Sequence, residues 1–372
     1  QICPFLNSRS PILNHLLALD VFRGITIFLM IIVNTPGSWK FVYDPIKHSL
    51  WHGCTLADLV FPSFIFIIGL SLFAVNKKSN NNLIIINILK RSLLIFFIGV
   101  LLNWFPFNIN IDQVRIFGVL QRIALVYFLS TLLIKVLNKT NYIIISSVFL
   151  LLFHWGVLYI FGESDPYSLR GNISSNFDLF FISKNHMYKG FGVAFEPEGI
   201  LGTLSSTAQV LIGYSFGRYL FSYNKNYNKN LFNIILLGFL FVIFGLIWNI
   251  YYPINKPIWT GSFVLYSSGI FLIFYSIISW IIDVKEIKLW SYVFEVFGAN
   301  SLISYIISII FLKLFLYKKF IGGTSLKNYL FDYMILFMSN EYFTSLLFSI
   351  IFTFFIWTFA FLLYKKKIII KV

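Results

Sequence analysis

Long apolar runs recur along this chain and constrain its fold more than any other feature. We count ten such runs, each separated from the next by a polar link. A helix of about 20 apolar residues crosses the hydrocarbon core of a bilayer, whereas barrel strands are about half that length and alternate in polarity. The runs therefore predict an all-α polytopic membrane protein with about ten transmembrane helices in a single bundle.

The composition excludes the main alternatives to a membrane protein. Hydrophobic residues make up 58% of the chain and charged residues only 12%, against about 25% charged residues in soluble domains. A soluble globular enzyme and a disordered chain are both excluded. The net charge of +15 lies mostly between apolar runs, so we expect membrane lipid as a partner and no nucleic acid. The two cysteines, Cys3 and Cys54, form no disulfide framework.

The predicted spans divide the whole chain, and their short links indicate one domain over residues 1–372. The link at 162–199 is read as an outer loop within that domain. Residues 318–343 are semi-polar, with an interfacial or re-entrant piece expected within 329–338. The spans are predicted at 16–33, 56–75, 84–104, 115–137, 142–161, 200–221, 231–250, 259–282, 292–317 and 344–364.

Basic residues set the expected orientation in the membrane. Lys and Arg are concentrated in the links that follow even-numbered spans and in the tail 365–371. Because such residues favour the cytoplasmic side, both termini are predicted to be cytoplasmic, in what we expect to be a bacterial inner membrane. Three lysines are exceptions to this pattern, because they fall on the predicted outer side: Lys318, Lys319 and Lys327.

Charged residues inside spans are costly and therefore informative. Asp20 and Arg23 stand three positions apart in the first predicted span, which places them on one helix face. They form either a structural ion pair or an anchor for a phosphate of a cytosolic ligand, because a guanidinium binds phosphate well.

The densest polar cluster lies in the outer link between spans one and two. Asn34 closes span one, Asp58 opens span two, and His48 lies between them. A histidine beside a carboxylate can act as a general base, and an asparagine amide can donate to an oxyanion. The alternative is a polar loop at the membrane interface with Trp39 and Trp51 as belt aromatics. His48 and His52 lack a third metal ligand, so no metal is expected.

Two further groups of charges lie in or before later spans. Arg115 and Arg122 are seven positions apart at the start of span four, where they are expected to share a helix face and line a ligand channel unless Arg115 snorkels to the surface. Glu196 and Glu198 precede span six. They are either a substrate-facing carboxylate pair or acids at the positive end of a helix dipole.

Six blocks in order resemble one family. They are residues 19–24, 48–69, 114–122, 196–204, 255–260 and 364–367, including Leu19-Asp20-Val21-Phe22-Arg23-Gly24 and Asn255-Lys256-Pro257-Ile258-Trp259-Thr260. Together they resemble heparan-α-glucosaminide N-acetyltransferase and its bacterial transmembrane relatives over residues 16–372. The resemblance implies transfer of an acetyl group from cytosolic acetyl-CoA to the amine of a terminal glucosamine across the membrane.

The resemblance also implies roles for individual residues. The family's catalytic histidine, essential asparagine and nearby aspartate match His48, Asn34 and Asp58. His52 stands where the family has an asparagine, and Glu196 where an aspartate is usual. The lysosomal member of the family has a lumenal N-terminal domain, and we expect no counterpart of it in this sequence.

The sequence therefore predicts an acetyl-CoA-dependent N-acetyltransferase with a catalytic group of His48, Asn34 and Asp58. The expected ligand-binding residues are Arg23, Arg115 and Arg122 for acetyl-CoA, and Glu196, Glu198 and Trp51 for an amino-sugar acceptor. A polysaccharide O-acyltransferase and a non-catalytic transporter or flippase are the alternatives, and a homodimer is left open.

Overall fold

The computed structural model describes residues 11–78, 85–222, 227–317 and 323–370. Within those ranges the chain is helical and forms no named strand. The helices are α1 (Pro11–Asn34), α2 (Leu56–Lys78), α3 (Ile85–Trp104), α4 (Val119–Leu137), α5 (Thr140–Phe161), α6 (Ile173–Phe181), α7 (Ile200–Ser222), α8 (Tyr227–Trp248), α9 (Gly261–Ser279), α10 (Tyr292–Ala299), α11 (Ser301–Tyr317), α12 (Leu326–Ile335) and α13 (Glu341–Lys365).

The helices confirm the polytopic fold predicted from the apolar runs. Every predicted span coincides with a helix or a helix pair. Eight helices in the described ranges are long and apolar enough to cross a membrane, and a bent pair raises the number to nine. The eight are α1, α2, α3, α4, α5, α8, α9 in its extension to Val284, and α13.

The sixth predicted span, α7, is long enough to cross a membrane but is more polar than the other spans. Its 23 residues correspond to about 34 Å at 1.5 Å per residue. Thr203, Ser206 and Thr207 are buried, and their hydroxyls donate to the carbonyls four residues earlier. These bonds satisfy the hydroxyl groups within the helix itself. A buried helix such as α7 can therefore contain these polar residues without exposing them to lipid.

The predicted span 292–317 is not one straight helix. It divides at Asn300 into α10 and α11, which are bent by 76°. The Asn300 amide donates to the Ile368 carbonyl at 2.9 Å and its Oδ1 accepts from the Ile370 amide at 3.0 Å. Asn300 therefore binds the segment that follows α13, and the expected span is a bent helix pair rather than one straight helix.

The central helices pack closely enough to require glycine. A Cβ atom on Gly69 of α2 would lie 2.1 Å from the Val210 carbonyl oxygen, and one on Gly213 of α7 would lie 2.3 Å from that of Phe66. Such contacts are far inside van der Waals distance. Glycine at these two positions lets α2 and α7 approach backbone to backbone.

The semi-polar segment between the last two predicted spans contains α12, a helix of 10 residues. It covers most of the interfacial piece expected within 329–338. Lys327 lies on α12 and is buried, whereas Lys318 and Lys319, which oppose the predicted orientation, lie outside the described residues.

Candidate active site

Asp58 takes part in capping the N-terminus of α2. Thr55 precedes the helix and Asp58 is its third residue, and the Thr55 amide donates to Asp58 Oδ2 at 3.1 Å. The Thr55 hydroxyl donates to the same oxygen at 3.1 Å. This is a capping interaction, and the positive end of the helix dipole also favours the carboxylate. Asp58 is 1% exposed, and these bonds fix the position of its carboxylate.

The same carboxylate holds His48. Asp58 Oδ1 lies 2.8 Å from His48 Nδ1, and Oδ2 accepts the Ser49 amide at 3.0 Å. A carboxylate that caps a helix acts as an acceptor, so Nδ1 is the donor and Nε2 keeps its lone pair. The His48 side chain is 38% exposed. The imidazole is thus oriented at one nitrogen and accessible at the other.

A distant loop brings a third charged group to this pair. The Gly53 amide donates to the Ile254 carbonyl at 2.8 Å, which docks the turn before α9 onto the loop before α2. Lys256 Nζ then lies 3.3 Å from Asp58 Oδ1 and 3.4 Å from His48 Nδ1. Its block was noted in the sequence, but Lys256 was not among the expected site residues.

Asn255 shapes the turn that presents Lys256. Its side-chain Oδ1 accepts a hydrogen bond from the Ile258 backbone amide at 2.9 Å, and its backbone amide donates to the Thr260 hydroxyl at 3.0 Å. Its side-chain nitrogen also lies 3.4 Å from His52 Nδ1. These bonds explain why a short polar motif precedes α9, and they place His52 beside the turn rather than beside Asp58.

The thiol in the cluster is not suited to act as a nucleophile. Burial, with a further contribution from the Asp58 charge, raises the pKa of Cys54 to about 12. The thiol therefore stays protonated at neutral pH, and only a thiolate is strongly nucleophilic. Burial also lowers the pKa of His52, although Asp165 opposes this effect.

The Asn34 side chain is bonded within its own helix rather than to the His48 pair. Its side-chain amide donates to the Met30 carbonyl at 2.9 Å, one turn earlier on α1. The residue lines a cavity that also includes Trp39, Lys327 and Glu341 but whose lining contains neither His48 nor Asp58. The predicted grouping of three residues is therefore seen as a pair plus a separate asparagine.

Trp51 connects the His48 loop to the predicted outer loop. Its indole nitrogen donates to the Tyr167 carbonyl at 2.8 Å. Its ring packs edge-on against Phe191 and Phe195, with centroids 5.6 and 5.2 Å away. The expected substrate-binding tryptophan thus has its polar atom occupied by the protein.

Two residue groups that the sequence kept separate form one ion-pair network. Arg115 Nε donates to Glu196 Oε2 at 3.0 Å, and Nη2 bonds both Glu196 and Glu198. The neighbouring Tyr188 ring lies under the guanidinium, 4.7 Å from its carbon. The expected cofactor-binding arginine and the expected substrate-binding glutamates are therefore each other's partners.

This network sets the charge states of its carboxylates. Burial raises the pKa of Glu196, although Arg115 opposes the effect. Burial also acts to raise the pKa of Glu198, but the charges of Arg115, Arg122 and Lys256 outweigh it, so the pKa is lowered. Glu198 thus carries its charge between the arginine pair and the lysine of the His48 cluster.

Arg122 reaches the same segment from inside the bundle. It is 1% exposed, and Nη2 donates to the carbonyls of Pro197 and Gly199 at 3.0 and 2.9 Å. Its guanidinium carbon lies 4.9 Å from the Trp259 ring. Among the described residues, Nε and Nη1 have no hydrogen-bond partner. An arginine with two unused buried donors is suited to donate to a ligand oxygen.

The two arginines do not share a helix face. Helix α4 begins at Val119, so Arg115 lies in the segment before it. The expectation of a common face, based on a span starting at residue 115, is therefore wrong. The residues converge instead because both contact the segment before α7.

Arg23, near the middle of α1, forms bonds to residues of three helices. Its guanidinium donates to Asp20 Oδ1 at 3.2 Å, the Ser71 hydroxyl at 2.8 Å and the Gly298 carbonyl at 3.3 Å. The contacts fit the structural ion pair considered from the sequence. They do not exclude a ligand, because the Arg23 side chain is 22% exposed.

The site is therefore a base held by a helix-capping acid and flanked by an ammonium group. Such an arrangement can accept a proton at His48 Nε2 and stabilise the resulting imidazolium through Asp58. Within the described ranges, no group of three His, Cys, Asp or Glu side chains is positioned to hold a metal ion.

Comparison with known proteins finds similarity to one family. The family model described as heparan-α-glucosaminide N-acetyltransferase, catalytic, matches residues 16–173, which include His48, Asp58, Arg115 and Arg122. The chain is 28% identical to heparan-α-glucosaminide N-acetyltransferase of Mus musculus over 353 residues, covering 79% of this chain and 53% of the relative.

The protein of the same name from Homo sapiens is 28% identical over 351 residues, covering 78% of this chain and 52% of the relative. The chain thus spans about half the length of the curated relatives it matches. The six sequence blocks, the family model and these two relatives all show similarity to heparan-α-glucosaminide N-acetyltransferase.

Proposed function

We propose that this protein is a transmembrane N-acetyltransferase. It moves an acetyl group from cytosolic acetyl-CoA to the amine of glucosamine or a terminal glucosaminide on the periplasmic or lumenal side. One observation carries the proposal: His48 Nδ1 lies 2.8 Å from Asp58 Oδ1, which leaves Nε2 of an exposed imidazole free to accept a proton. The matching names of the relatives support the same reaction class.

In this proposal His48 takes a proton from the acceptor ammonium or from the attacking amine. The amine nitrogen forms a bond to the thioester carbonyl carbon, the carbon–sulfur bond breaks, and the thiol leaves with a proton. Asp58 keeps the imidazole oriented and balances its positive charge. Lys256 Nζ contacts the same oxygen, Asp58 Oδ1, at 3.3 Å.

The buried donors of Arg122 support a ligand within the bundle. Acetyl-CoA supplies the acetyl thioester, and its arm and phosphates carry oxygen acceptors. Arg122 has two buried donors, Nε and Nη1, without a partner. Arg122 therefore remains our candidate for acetyl-CoA, with Arg23 of α1 as the candidate for one of its phosphates. Arg115 is a weaker candidate, since Glu196 and Glu198 already occupy it.

The placement of Asn34 adds a condition to the mechanism. Its amide is bonded within α1, so a role as oxyanion donor requires that this side chain turn toward the thioester. We retain Asn34 as a candidate on the family match. For the cellular setting we propose a bacterial inner membrane with both termini in the cytoplasm, and a homodimer is testable by light scattering of the purified protein.

Purified protein with acetyl-CoA and a panel of acceptors tests the proposed function directly. Products are identified by mass spectrometry, with glucosamine and glucosaminides set against matched sugars that offer only hydroxyl groups. Acetylation of the amine alone is the expected result. Acetylation of hydroxyl groups would favour the polysaccharide O-acyltransferase. Substrate movement across liposomes without consumption of acetyl-CoA would favour the transporter or flippase.

A further inference from the structure

The chain continues past α13 as a short non-helical segment that the bundle holds in place. Helix α13 ends in a left-handed turn, in which Lys367 has a φ of 56° and the Ile368 amide donates to the Leu363 carbonyl at 3.0 Å. Beyond this turn, the Asn300 side chain bonds the backbone of Ile368 and of Ile370. Asn300 is 2% exposed, so a buried amide at the break between α10 and α11 fixes a surface segment.

This segment lies at the end of the bundle opposite to His48. The link that contains His48 follows α1, and the Gly37 amide in that link donates to the carbonyl of Ser345, early in α13, at 3.1 Å. The start of α13 is therefore on the His48 side. The helix has 25 residues, which span about 37 Å at 1.5 Å per residue. Changes in the segment can thus be separated from changes in the candidate active site.

Three consecutive lysines lead into the segment. Lys365, Lys366 and Lys367 are all exposed. One acid lies close by, since Glu295 Oε1 accepts the Tyr364 hydroxyl at 2.8 Å. Three ammonium groups beside one carboxylate give this surface a positive charge. Clusters of lysine just beyond a membrane span attract anionic lipid headgroups.

Three isoleucines follow the lysines and are exposed as well. Ile368, Ile369 and Ile370 are 43, 58 and 42% exposed. A soluble anion would neutralise the lysines but would leave these apolar side chains in water. A phospholipid supplies both a phosphate for the lysines and acyl carbons for the isoleucines. The combination favours a lipid over a free phosphate.

We propose that residues 365–370 form a binding site for an anionic phospholipid. The three lysines contact its headgroup, the isoleucines pack against its acyl chains, and Asn300 positions the site by holding its backbone. The site differs from the general lipid contact of a membrane protein because it selects lipids by the charge of the headgroup. It does not depend on the proposed acetyltransferase function.

Native mass spectrometry of the purified protein in a neutral detergent tests the site without requiring any reaction. Short-chain phosphatidylglycerol is titrated in parallel with phosphatidylcholine of the same acyl chains, so that the two lipids differ in headgroup charge. Phosphatidylglycerol should bind the wild type at least about tenfold more tightly, and higher ionic strength should reduce this preference. Equal affinity for the two lipids would overturn the proposal.

Substitutions of the lysines assign the preference to this segment. Lys365→Gln and Lys366→Gln should each lower the affinity for phosphatidylglycerol about fivefold and leave that for phosphatidylcholine unchanged. Lys367→Gly removes the third charge and suits the left-handed turn. The control is Lys184→Gln with Lys189→Gln, on two exposed lysines of the predicted outer loop, which should keep the preference. A wild-type preference in the protein that lacks all three lysines would refute the site.

Two further variants test the apolar contact and the role of Asn300. Ile369 lies between the two residues that Asn300 holds, so Ile369→Asn should weaken the binding of both lipids, and unchanged binding would contradict the acyl contact. Competition by glycerol 3-phosphate as strong as that by phosphatidylglycerol would overturn the lipid in favour of a free phosphate. Asn300→Ala should reduce the preference although no charge is removed. A folded Asn300→Ala protein with the wild-type preference would refute the positioning role, and the lysine variants decide on the site if this variant does not fold.

Discussion

Lys256 and Asp58 are 198 positions apart in the chain, yet Lys256 Nζ lies 3.3 Å from Asp58 Oδ1. The contact depends on the backbone bond between Gly53 and Ile254, which docks one loop on the other. Asp58 Oδ1 thus contacts both the Lys256 ammonium group and His48 Nδ1. The lysine holds the carboxylate that orients the base, which makes Lys256 a positioning residue.

Removing the Lys256 charge should slow the reaction more than it weakens substrate binding. In Lys256→Gln we expect kcat to fall roughly tenfold or more, as for the loss of a charge-assisted hydrogen bond, with a smaller change in the KM for acetyl-CoA. Lys256→Arg should recover part of the loss. Lys189→Gln, on an exposed loop lysine, is the control. A folded Lys256→Gln enzyme with wild-type kcat would contradict the role.

The general base gives the largest expected effect. His48→Ala should lower the transfer rate by about 10²–10⁴-fold, because no other group would take the proton, while the protein still inserts in the membrane. His52→Asn is the matched comparison, since His52 contacts Asn255 and not Asp58, and it should be tolerated. Activity of His48→Ala within about tenfold of wild type would remove it from the mechanism.

Part of this site can be predicted from local sequence. The spacing of Thr55 and Asp58 before an apolar run matches a capping box, and the helix boundaries follow the apolar runs closely. Lys256 could not be placed in the same way. Its approach to Asp58 depends on a loop contact between distant segments, and no local pattern encodes which loop docks where.

The arginines also show what local sequence cannot predict. The sequence predicts that Arg115 and Glu196 each face a ligand, because a charged residue in an apolar protein needs a partner. That argument is sound, but it does not identify the partner, which here is the other residue, 81 positions away. The bend at Asn300 was also missed, because an apolar run of normal length gives no sign that its helix is divided.

Substitution of Arg122 can distinguish a ligand-binding role of this residue from a structural one. Arg122→Ala should raise the KM for acetyl-CoA roughly tenfold or more, as expected for loss of a charge-assisted bond, with less effect on the amino-sugar KM. The motive is the pair of buried donors without partners. Its bonds to Pro197 and Gly199 suggest the rival result, which is a lower melting temperature with both KM values unchanged.

The predicted orientation can be tested at two exposed side chains. Leu50 is 87% exposed in the link after α1, and Leu289 is 93% exposed in the link after α9. In a background without Cys3 and Cys54, a membrane-impermeant thiol reagent should label Leu50→Cys in intact cells and Leu289→Cys only after lysis. The reverse pattern would invert the topology and move His48 to the cytosolic side.

Asp178 should make stability depend on pH. Its Oδ1 accepts the Ile200 amide at 2.8 Å at the start of α7, and its Oδ2 is buried without a partner. Burial raises the pKa of Asp178 to about 7, although the Ile200 bond and Arg122 oppose the effect and Glu196 adds to it. The folded protein therefore holds this proton over a range where the unfolded chain, with a pKa of about 3.9, has released it.

The sign of the effect follows from that difference. Because the folded pKa is raised, the stabilisation is fully present below about pH 4 and is lost as pH rises through 7. Between pH 5 and 7 the free energy of unfolding should fall by about 2 kcal/mol from this group alone. Asp178→Asn keeps an acceptor for the Ile200 amide but does not titrate, so its melting temperature in detergent should vary less over this range. Glu163→Gln, on an exposed loop acid, should keep the wild-type dependence, and an equal dependence in Asp178→Asn would show that another group is responsible.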